Sequence, residues 1–269
     1  MAVYKADSRN LLPDSLNAKM PWGSQGARYA IVFGDPPFNI NQKYDGFEDK
    51  FTDKQYAEFT LQWILSGWGM VKEGGVLAVH GDRKLAKYFW RAAIACGIDD
   101  YFENEVVWHF RFGQCGRTDF IGTHCNCLIF RKLGKRVFNA DSVLVDSDRA
   151  SKYNDKRTGE YDNGGKRVPG TVWGVPSDGR YWGRVTGNSK ERVKAAPNQL
   201  PLRYMQRMVM AYSNEGDEVC DLFAGTGTLG LVCKHEGRLF TGFDVNERAV
   251  EIANDRIENG FYRRRDDQE

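Results

Sequence analysis

Apolar and polar positions alternate along the chain in short apolar runs and amphipathic stretches, the order expected of strands and helices taking turns in a mostly parallel α/β sheet. Residues 3–7 predict a short strand ending in an acid, followed by a polar connection to about Arg28. Residues 29–34 are apolar throughout, as in a strand covered on both faces. The run stops at Asp35, because Pro36 and Pro37 have no N–H to give to a ladder. Thr52 or Asp53 can cap a helix in which Tyr56, Phe59, Trp63 and Ile64 recur on one face, and Lys72-Glu73-Gly74-Gly75 breaks it. Residues 76–80 predict the next strand, and Leu85, Phe89, Ala92, Ala93 and Cys96 the apolar face of the next helix. Residues 105–110 and 125–130 read as two neighbouring strands, antiparallel at the sheet edge.

Periodicity fails from about Leu133 to Arg184, a stretch rich in Gly, Asp, Asn, Lys and Arg with isolated aromatics (Tyr153, Tyr161, Trp173, Tyr181, Trp182). A long irregular segment of this kind in a compact domain predicts a recognition insert. Order returns at Pro201, with Leu202, Met205, Met208, Val209 and Tyr212 on one helical face. Residues 218–223 predict a strand, 228–236 a helix, 238–243 a strand ending at Asp244, and 246–258 a helix facing inward through Val250, Ala253 and Ile257. The basic tail at 262–265 reads as a frayed end.

With 269 residues, 41% hydrophobic and 28% charged, the chain can bury a full core as one large domain or two small ones. No run reaches the roughly 18 apolar residues of a membrane helix, and the N-terminus lacks the apolar core of a signal peptide, so a cytoplasmic location is expected. Six scattered cysteines predict reduced, buried thiols rather than a disulfide framework. His124-Cys125-Asn126-Cys127 could be half of a metal site, but no second pair stands at ligand spacing, and no metal is expected. Net charge is only +2, yet Arg111, Arg117, Arg131, Lys132, Lys135, Arg136, Lys152, Lys156, Arg157, Lys166 and Arg167 make the middle of the chain basic. That stretch is either a solvated face or a phosphate-contacting surface.

Two short stretches carry candidate chemistry. Gly225-Thr226-Gly227-Thr228-Leu229-Gly230 has the three-glycine spacing of a dinucleotide turn between a strand and a helix, with Asp244 ending the next strand. The turn implies a nucleotide-like ligand, since glycines admit close backbone approach and a carboxylate can accept from ribose hydroxyls. A nicotinamide enzyme would need two mononucleotide halves after the turn, whereas about forty residues remain, so it would have to be permuted. Asp221, just before the turn, would repel a pyrophosphate but suits an ammonium group. S-adenosylmethionine (SAM) has that ammonium, a ribose and no phosphate. A tight turn with no ligand stays open, in which case Gly227 and Gly230 only permit close packing.

The other stretch is Asp35-Pro36-Pro37-Phe38 at the carboxyl end of an apolar strand, where ligands of open α/β sheets bind. Methylating the exocyclic amine of adenine or cytosine needs hydrogen bonds that draw the nitrogen lone pair out of the ring. An acceptor-only carboxylate, Asp35, and the fixed carbonyl of Pro36 can take its two hydrogens, and Phe38 offers a stacking face. A base inside a duplex must first be flipped out.

Asp35-Pro36-Pro37-Phe38, followed far downstream by Asp221-Leu222-Phe223-Ala224-Gly225-Thr226-Gly227, resembles the amino-directed (N6-adenine/N4-cytosine) DNA methyltransferases of the beta arrangement, in which the catalytic motif precedes the SAM motif. Asn198-Gln199-Leu200-Pro201 resembles the segment these enzymes place before the SAM strand, with Leu200-Pro201 where the family often has Lys-Pro. The SAM motif reads Asp-Leu-Phe where Asp-Pro-Phe is more usual. The resemblance implies a SAM-dependent methyltransferase Rossmann-like α/β sheet, mostly parallel with an antiparallel edge strand, in circularly permuted motif order. It implies a catalytic half over 1–132, a target-recognition insert over 133–185 and a SAM-binding half over 186–269. Asp35, Pro36, Pro37 and Phe38 are then catalytic. Asp7, Asp35, Asp221, Phe223, Gly225, Thr226, Gly227, Thr228, Asp244 and Asn246 bind SAM, while Arg111, Arg117, Lys152, Lys156, Arg157, Lys166 and Arg167 contact DNA. An initial Asp in the catalytic motif is associated with N6 of adenine and an initial Ser with N4 of cytosine, so Asp35 favours adenine. No Pro-Cys pair is present for attack at cytosine carbon 5. A silent nucleic-acid-binding scaffold, a permuted nicotinamide oxidoreductase, and a methyltransferase of RNA or of a protein glutamine remain the alternatives. DNA is the expected partner; a homodimer and a restriction endonuclease partner are left open, as is association with a bacterial or phage nucleoid.

Overall fold

The computed structural model describes residues 1–11, 26–44, 47–111, 118–153, 165–175, 182–187, 189–193 and 198–260. In chain order its strands are β1 (Ala2–Lys5), β2 (Tyr29–Gly34), β3 (Lys43–Tyr44), β4 (Phe47–Glu48), β5 (Val71–Asp82), β6 (Phe102–His109), β7 (His124–Arg131), β8 (Val145–Asp146), β9 (Lys166–Arg167), β10 (Val172–Trp173), β11 (Glu218–Asp221) and β12 (Leu239–Asp244). The helices are α1 (Asp53–Met70), α2 (Ala86–Ala95), α3 (Asp148–Ser151), α4 (Leu202–Tyr212), α5 (Thr228–His235) and α6 (Glu247–Asn259).

Eight strands form one sheet in the order β1-β12-β11-β2-β5-β7-β6-β10. All pairs are parallel except those of β7, which runs against β5 and β6. The antiparallel strand thus lies near one edge, as its sequence predicts, but the two-residue β10 adds a further strand outside β6 through Val172 and Trp173. At the other edge the N-terminal β1 pairs with β12, so the first and last strands of the chain are neighbours.

β2 is central and buried over its whole length, the reason its sequence is apolar without alternation. Ile31 and Phe33 join the core under α4 and α5 with Met205, Met208, Leu229 and Val232. Val32 points the other way, with Tyr56, Trp63 and Ile64 of α1 and Phe89 and Ala92 of α2. Helix α1 starts in a capping box: the Thr52 hydroxyl accepts from the Gln55 N–H at 3.3 Å and the Gln55 carbonyl oxygen from the Thr52 N–H at 2.9 Å. It ends at Met70, and β5 begins at once. Lys72-Glu73-Gly74-Gly75 is therefore an irregularity inside a strand rather than a loop: Gly74 has φ +73°, and the β2–β5 register shifts between Tyr29 and Ile31.

The segment predicted irregular carries β8, α3, β9 and β10 among its described residues, and Val143, Val145, Trp173 and Trp182 are buried. Arg207 explains part of that burial. Its guanidinium lies 5.2 Å from the Trp173 ring and 4.2 Å from the Trp182 ring, tying the segment to α4. No helix among the described residues is long and apolar enough to cross a membrane. Cys96, Cys125, Cys127, Cys220 and Cys233 are free thiols.

Candidate active site

Three adjacent parallel strands, β12, β11 and β2, end in or just before an acid, and parallel register brings Asp244, Asp221 and Asp35 to one end of the sheet. A cavity of about 440 Å³ opens there. Asp35, Pro36, Pro37 and Phe38 form one wall; Asp221, Phe223, Gly225, Thr226 and Thr228 form another; Asp244 and Asn246 complete it. The two stretches singled out in the sequence, almost two hundred residues apart, thus face the same space.

Asp35 is half-buried as a residue, but its Oδ1 is fully buried and has no hydrogen-bond partner. An unpaired buried carboxylate oxygen is costly, and this one is available to accept from a hydrogen-bond donor in the cavity. Burial, and then the nearby Asp221, hold the Asp35 carboxyl well above the usual carboxylate range. Asp221 is itself buried, and burial lifts it to about 7, against one hydrogen bond accepted from the Phe223 N–H at 3.1 Å. Asp244 is better satisfied. It accepts from the N–H of Gly225 at 2.9 Å and of Asn246 at 2.9 Å, and burial still raises it.

The loop after Asp35 is held rigidly. Pro37 O accepts from the Tyr56 hydroxyl at 2.7 Å. Asn39 and Asn41 adopt left-handed φ of 54° and 58°, and the buried Asp49 carboxylate gathers the N–H groups of Asn39 (2.8 Å), Ile40 (3.0 Å) and Gln42 (3.3 Å). Asn39 answers with side-chain bonds to the Phe51 backbone. This frame sets Phe38 between the two halves of the core and Phe47 on the cavity wall.

The glycines divide by role. Gly225 has φ +48°, and a Cβ there would meet only the Phe223 carbonyl, at 3.9 Å, so the turn leaves open space on the cavity side. Gly227 and Gly230 serve packing. A Cβ on Gly227 would lie 3.0 Å from Ala253, and one on Gly230 2.5 Å from Ile257 and 2.6 Å from Phe240. From behind, Arg256 of α6 donates to Thr226 O (3.1 Å), Thr226 Oγ1 (3.0 Å) and Thr228 Oγ1 (2.8 Å); burial lowers this guanidinium to about 10.

Asp7 does not line the cavity, though Ala6 and Ser8 on either side do, because its carboxylate is taken by Arg9. Arg111, Lys152, Lys166 and Arg167 lie outside the cavity, Lys152 paired with Asp148 at 3.2 Å. Arg117, Lys156 and Arg157 are outside the described residues. Several wall residues went unread in the sequence. Arg248, Ala249 and Ile252 recur at helical spacing just after Asp244 and could have been found from that period. Ser8 and Phe47 arrive through tertiary contacts and carry no local signal, whereas Met205 was read from its period as part of a helical face. Buried His80 lies off the cavity wall; it contacts the Tyr204 hydroxyl through Nδ1 at 3.0 Å and is lowered to about 3 by burial.

The cavity stands outside the carboxyl ends of the parallel strands, where open α/β sheets bind their ligands. The family model described as DNA methylase (N6/N4) matches residues 29–255, and the chain belongs to that DNA methyltransferase family. Among curated relatives, the type II methyltransferase M.HpaI of Haemophilus parainfluenzae is 28% identical over 86% of this chain and 68% of its own. The DNA adenine methyltransferase YhdJ of Escherichia coli (strain K12) is 24% identical over 85% of this chain and 76% of its own. Among solved structures, the M1.HpyAVI–SAM complex superposes with a TM-score of 0.62 at 18% identity, covering 96% of this chain and 98% of that one. The cytosine-N4-specific PvuII DNA methyltransferase does so with 0.63 at 17%, covering 96% and 93%. These structures share the fold, the mostly parallel sheet with its antiparallel strand.

Proposed function

We propose that the chain transfers a methyl group from S-adenosylmethionine to N6 of an adenine flipped out of duplex DNA at a specific sequence. The observation that carries this reading is the buried, unpartnered Oδ1 of Asp35 on the wall of a cavity shared with the glycine turn. An exocyclic amine supplies the hydrogen that this oxygen lacks. The same donation stabilises the ionised carboxylate and draws its pKa back down as the base enters. Pro36 contributes a carbonyl on a loop stiffened by two prolines and the Asp49 frame, so the amine nitrogen is aimed rather than merely bound. Phe38 and Phe47 give the base apolar faces.

SAM supplies an electrophilic methyl on a sulfonium centre together with an ammonium and a ribose. Asp221, Asp244 and Asn246 match the two polar parts, Gly225 leaves space for close approach, and Arg256 holds Thr226 and Thr228 in place. Gly227 acts through packing and Asp7 through its ion pair with Arg9, with Ala6 and Ser8 nearer the ligand.

Residues 1–132 and 186–269 are the catalytic and donor-binding halves in this reading, and 133–185 the target-recognition region. Arg111, Lys152, Lys166 and Arg167 contribute phosphate contacts, as do Arg117, Lys156 and Arg157. A cognate restriction endonuclease is the proposed partner in the cell, and sedimentation of the pure protein tests for a homodimer. Asp35 at the head of the motif and the adenine-directed relative favour N6; the cytosine-N4-specific structural relative makes N4-methylcytosine the competing product.

Incubation with tritiated SAM and genomic DNA, nucleoside chromatography and mapping of the modified bases test the proposal. N6-methyladenine in one sequence context is expected; N4-methylcytosine or no product overturns it. Asp35→Ala is expected to lower transfer at least a hundredfold while SAM affinity, measured by calorimetry, changes less than threefold, as about 3 kcal/mol of transition-state positioning lost without ground-state binding implies.

A further inference from the structure

At the same end of the sheet as the cavity lies a feature that the catalytic residues leave unused. β6, β5 and β2 run in the same direction, so the connection from β6 to β7 leaves the sheet at the end where Asp35 and Asp221 lie. The Phe110 N–H donates to Thr123 O at 2.8 Å and closes the base of this connection. Near its far end Phe120 is 95% exposed, with Ile121 also exposed beside it. The Asp119 carboxylate accepts from the Phe120 N–H at 2.7 Å, fixing the backbone that presents the ring.

One exposed apolar residue is ordinary on a protein surface. The surroundings distinguish this one. Arg184 lies 5.4 Å over the Phe110 ring at the base of the connection and donates to Asn198 Oδ1 at 3.3 Å, and Asn198 lines the cavity. A single side chain therefore joins the base of the loop to the mouth of the site. On another flank Gly122 packs against Arg83, whose Nε would lie 3.2 Å from a Cβ there, and the exposed Lys84 follows. Arg111 is exposed at the end of β6. Arg83, Lys84, Arg111 and Arg184 thus stand about the two ends of the connection that carries this apolar tip. β7 and β6 lie two and three strand spacings from β2, about 10–14 Å, so these cations and the cavity stand at the same end of the sheet.

Cations of this kind meet phosphates, and an aromatic ring among them has one apolar place to go on DNA, between base steps. We propose that Phe120 enters the base stack and occupies the gap left by the target base when it moves into the cavity, with Arg83, Lys84, Arg111 and Arg184 on the flanking phosphates. This rests on the methyltransferase reading above, and it assigns a positioning residue for the flipped state. Phe120 stabilises the extruded base by replacing its lost stacking, so its contribution disappears when the base has no pairing partner to leave.

The test compares single-turnover methyl transfer to two duplexes bearing the mapped site, one with the target paired and one with an abasic position opposite it. Phe120→Ala is expected to slow transfer to the paired target about tenfold or more, to leave the unpaired target within twofold, and to change neither the melting temperature nor SAM affinity. Phe120→Trp keeps at least half of the paired-target rate. Unchanged transfer by Phe120→Ala on the paired target, or an equal loss on both duplexes, overturns the proposal. Absence of transfer by the wild-type protein on either duplex sinks the methyltransferase reading instead.

Discussion

Asp221, buried on the cavity wall, couples stability to pH. Its folded-state carboxyl stands at about 7 through burial, helped by Asp244 and opposed by the Phe223 N–H, whereas an unfolded aspartate titrates near 3.8. A carboxyl raised on folding contributes stability that is full below the unfolded value and is lost as pH rises through the folded one. Asp221 therefore favours the fold at pH 4 and opposes it at pH 8, by a few kcal/mol. Asp221→Asn keeps an acceptor for Phe223 and removes the charge. We expect its melting temperature at pH 8 to exceed wild type by about 5 °C, with the gap closing toward pH 4, in a thermal melt across pH. SAM affinity of the wild type should rise with pH through about 7 as the carboxylate ionises to meet the ammonium, and Asp221→Asn should bind at least tenfold more weakly at pH 8 with no such rise. A flat wild-type affinity profile from pH 6 to 8 would remove Asp221 from the ammonium contact. Asp221 stood out in the sequence as an acid shortly before a glycine turn, and the structure places it on the cavity wall. Asp49 did not: its partners are backbone N–H groups of a loop seven to ten residues away, and no side-chain pattern announces that.

Strand ends and glycine turns were the elements read most accurately, since prolines at 36 and 37 and glycines at 225 to 230 act on the backbone locally. β10 was missed because two residues have no period, and Val172 and Trp173 become a strand only by pairing with Val107 and Trp108. The glycine turn also separates roles that its spacing alone leaves mixed. Gly230 lies in α5 against Ile257 and Phe240, and Phe240 is pinned in β12. Gly230→Ala gains about 1 kcal/mol of helix propensity but forces a methyl into a filled space, which costs about 1–3 kcal/mol. The close approach to a buried ring makes the second effect win, and urea unfolding should show a net loss of about 1–2 kcal/mol. A gain in stability would show that α5 can move off α6.

Over the whole molecule a net charge of +2 hides an uneven distribution, and the proposed DNA surface depends on the unevenness. If Lys166 and Arg167 touch phosphates, replacing both by Ala should reduce the log–log salt slope of DNA binding by about 2, roughly 0.9 for each contact. A slope unchanged from wild type in a fluorescence titration would mark them as a solvated face. The sheet order also brings the two ends of the chain together. β1 opens the chain yet pairs with β12, and Ala6 and Ser8 just after it line the cavity beside Asp244 and Asn246.

The sequence by itself determined the class of sheet, the strand ends at Asp35 and Asp244, and the family, because apolar period, proline and glycine impose their effects within a few residues; the strand predicted over 218–223 stops at Asp221 in the structure. Only the tertiary structure decided that the two motifs share one cavity, that Asp7 is turned toward Arg9, that Gly227 and Gly230 pack while Gly225 opens, and that Asp35 keeps an unpaired oxygen. Each of these depends on which residues meet across the sheet, and parallel register between strands nearly two hundred positions apart is set by the packing of the whole core.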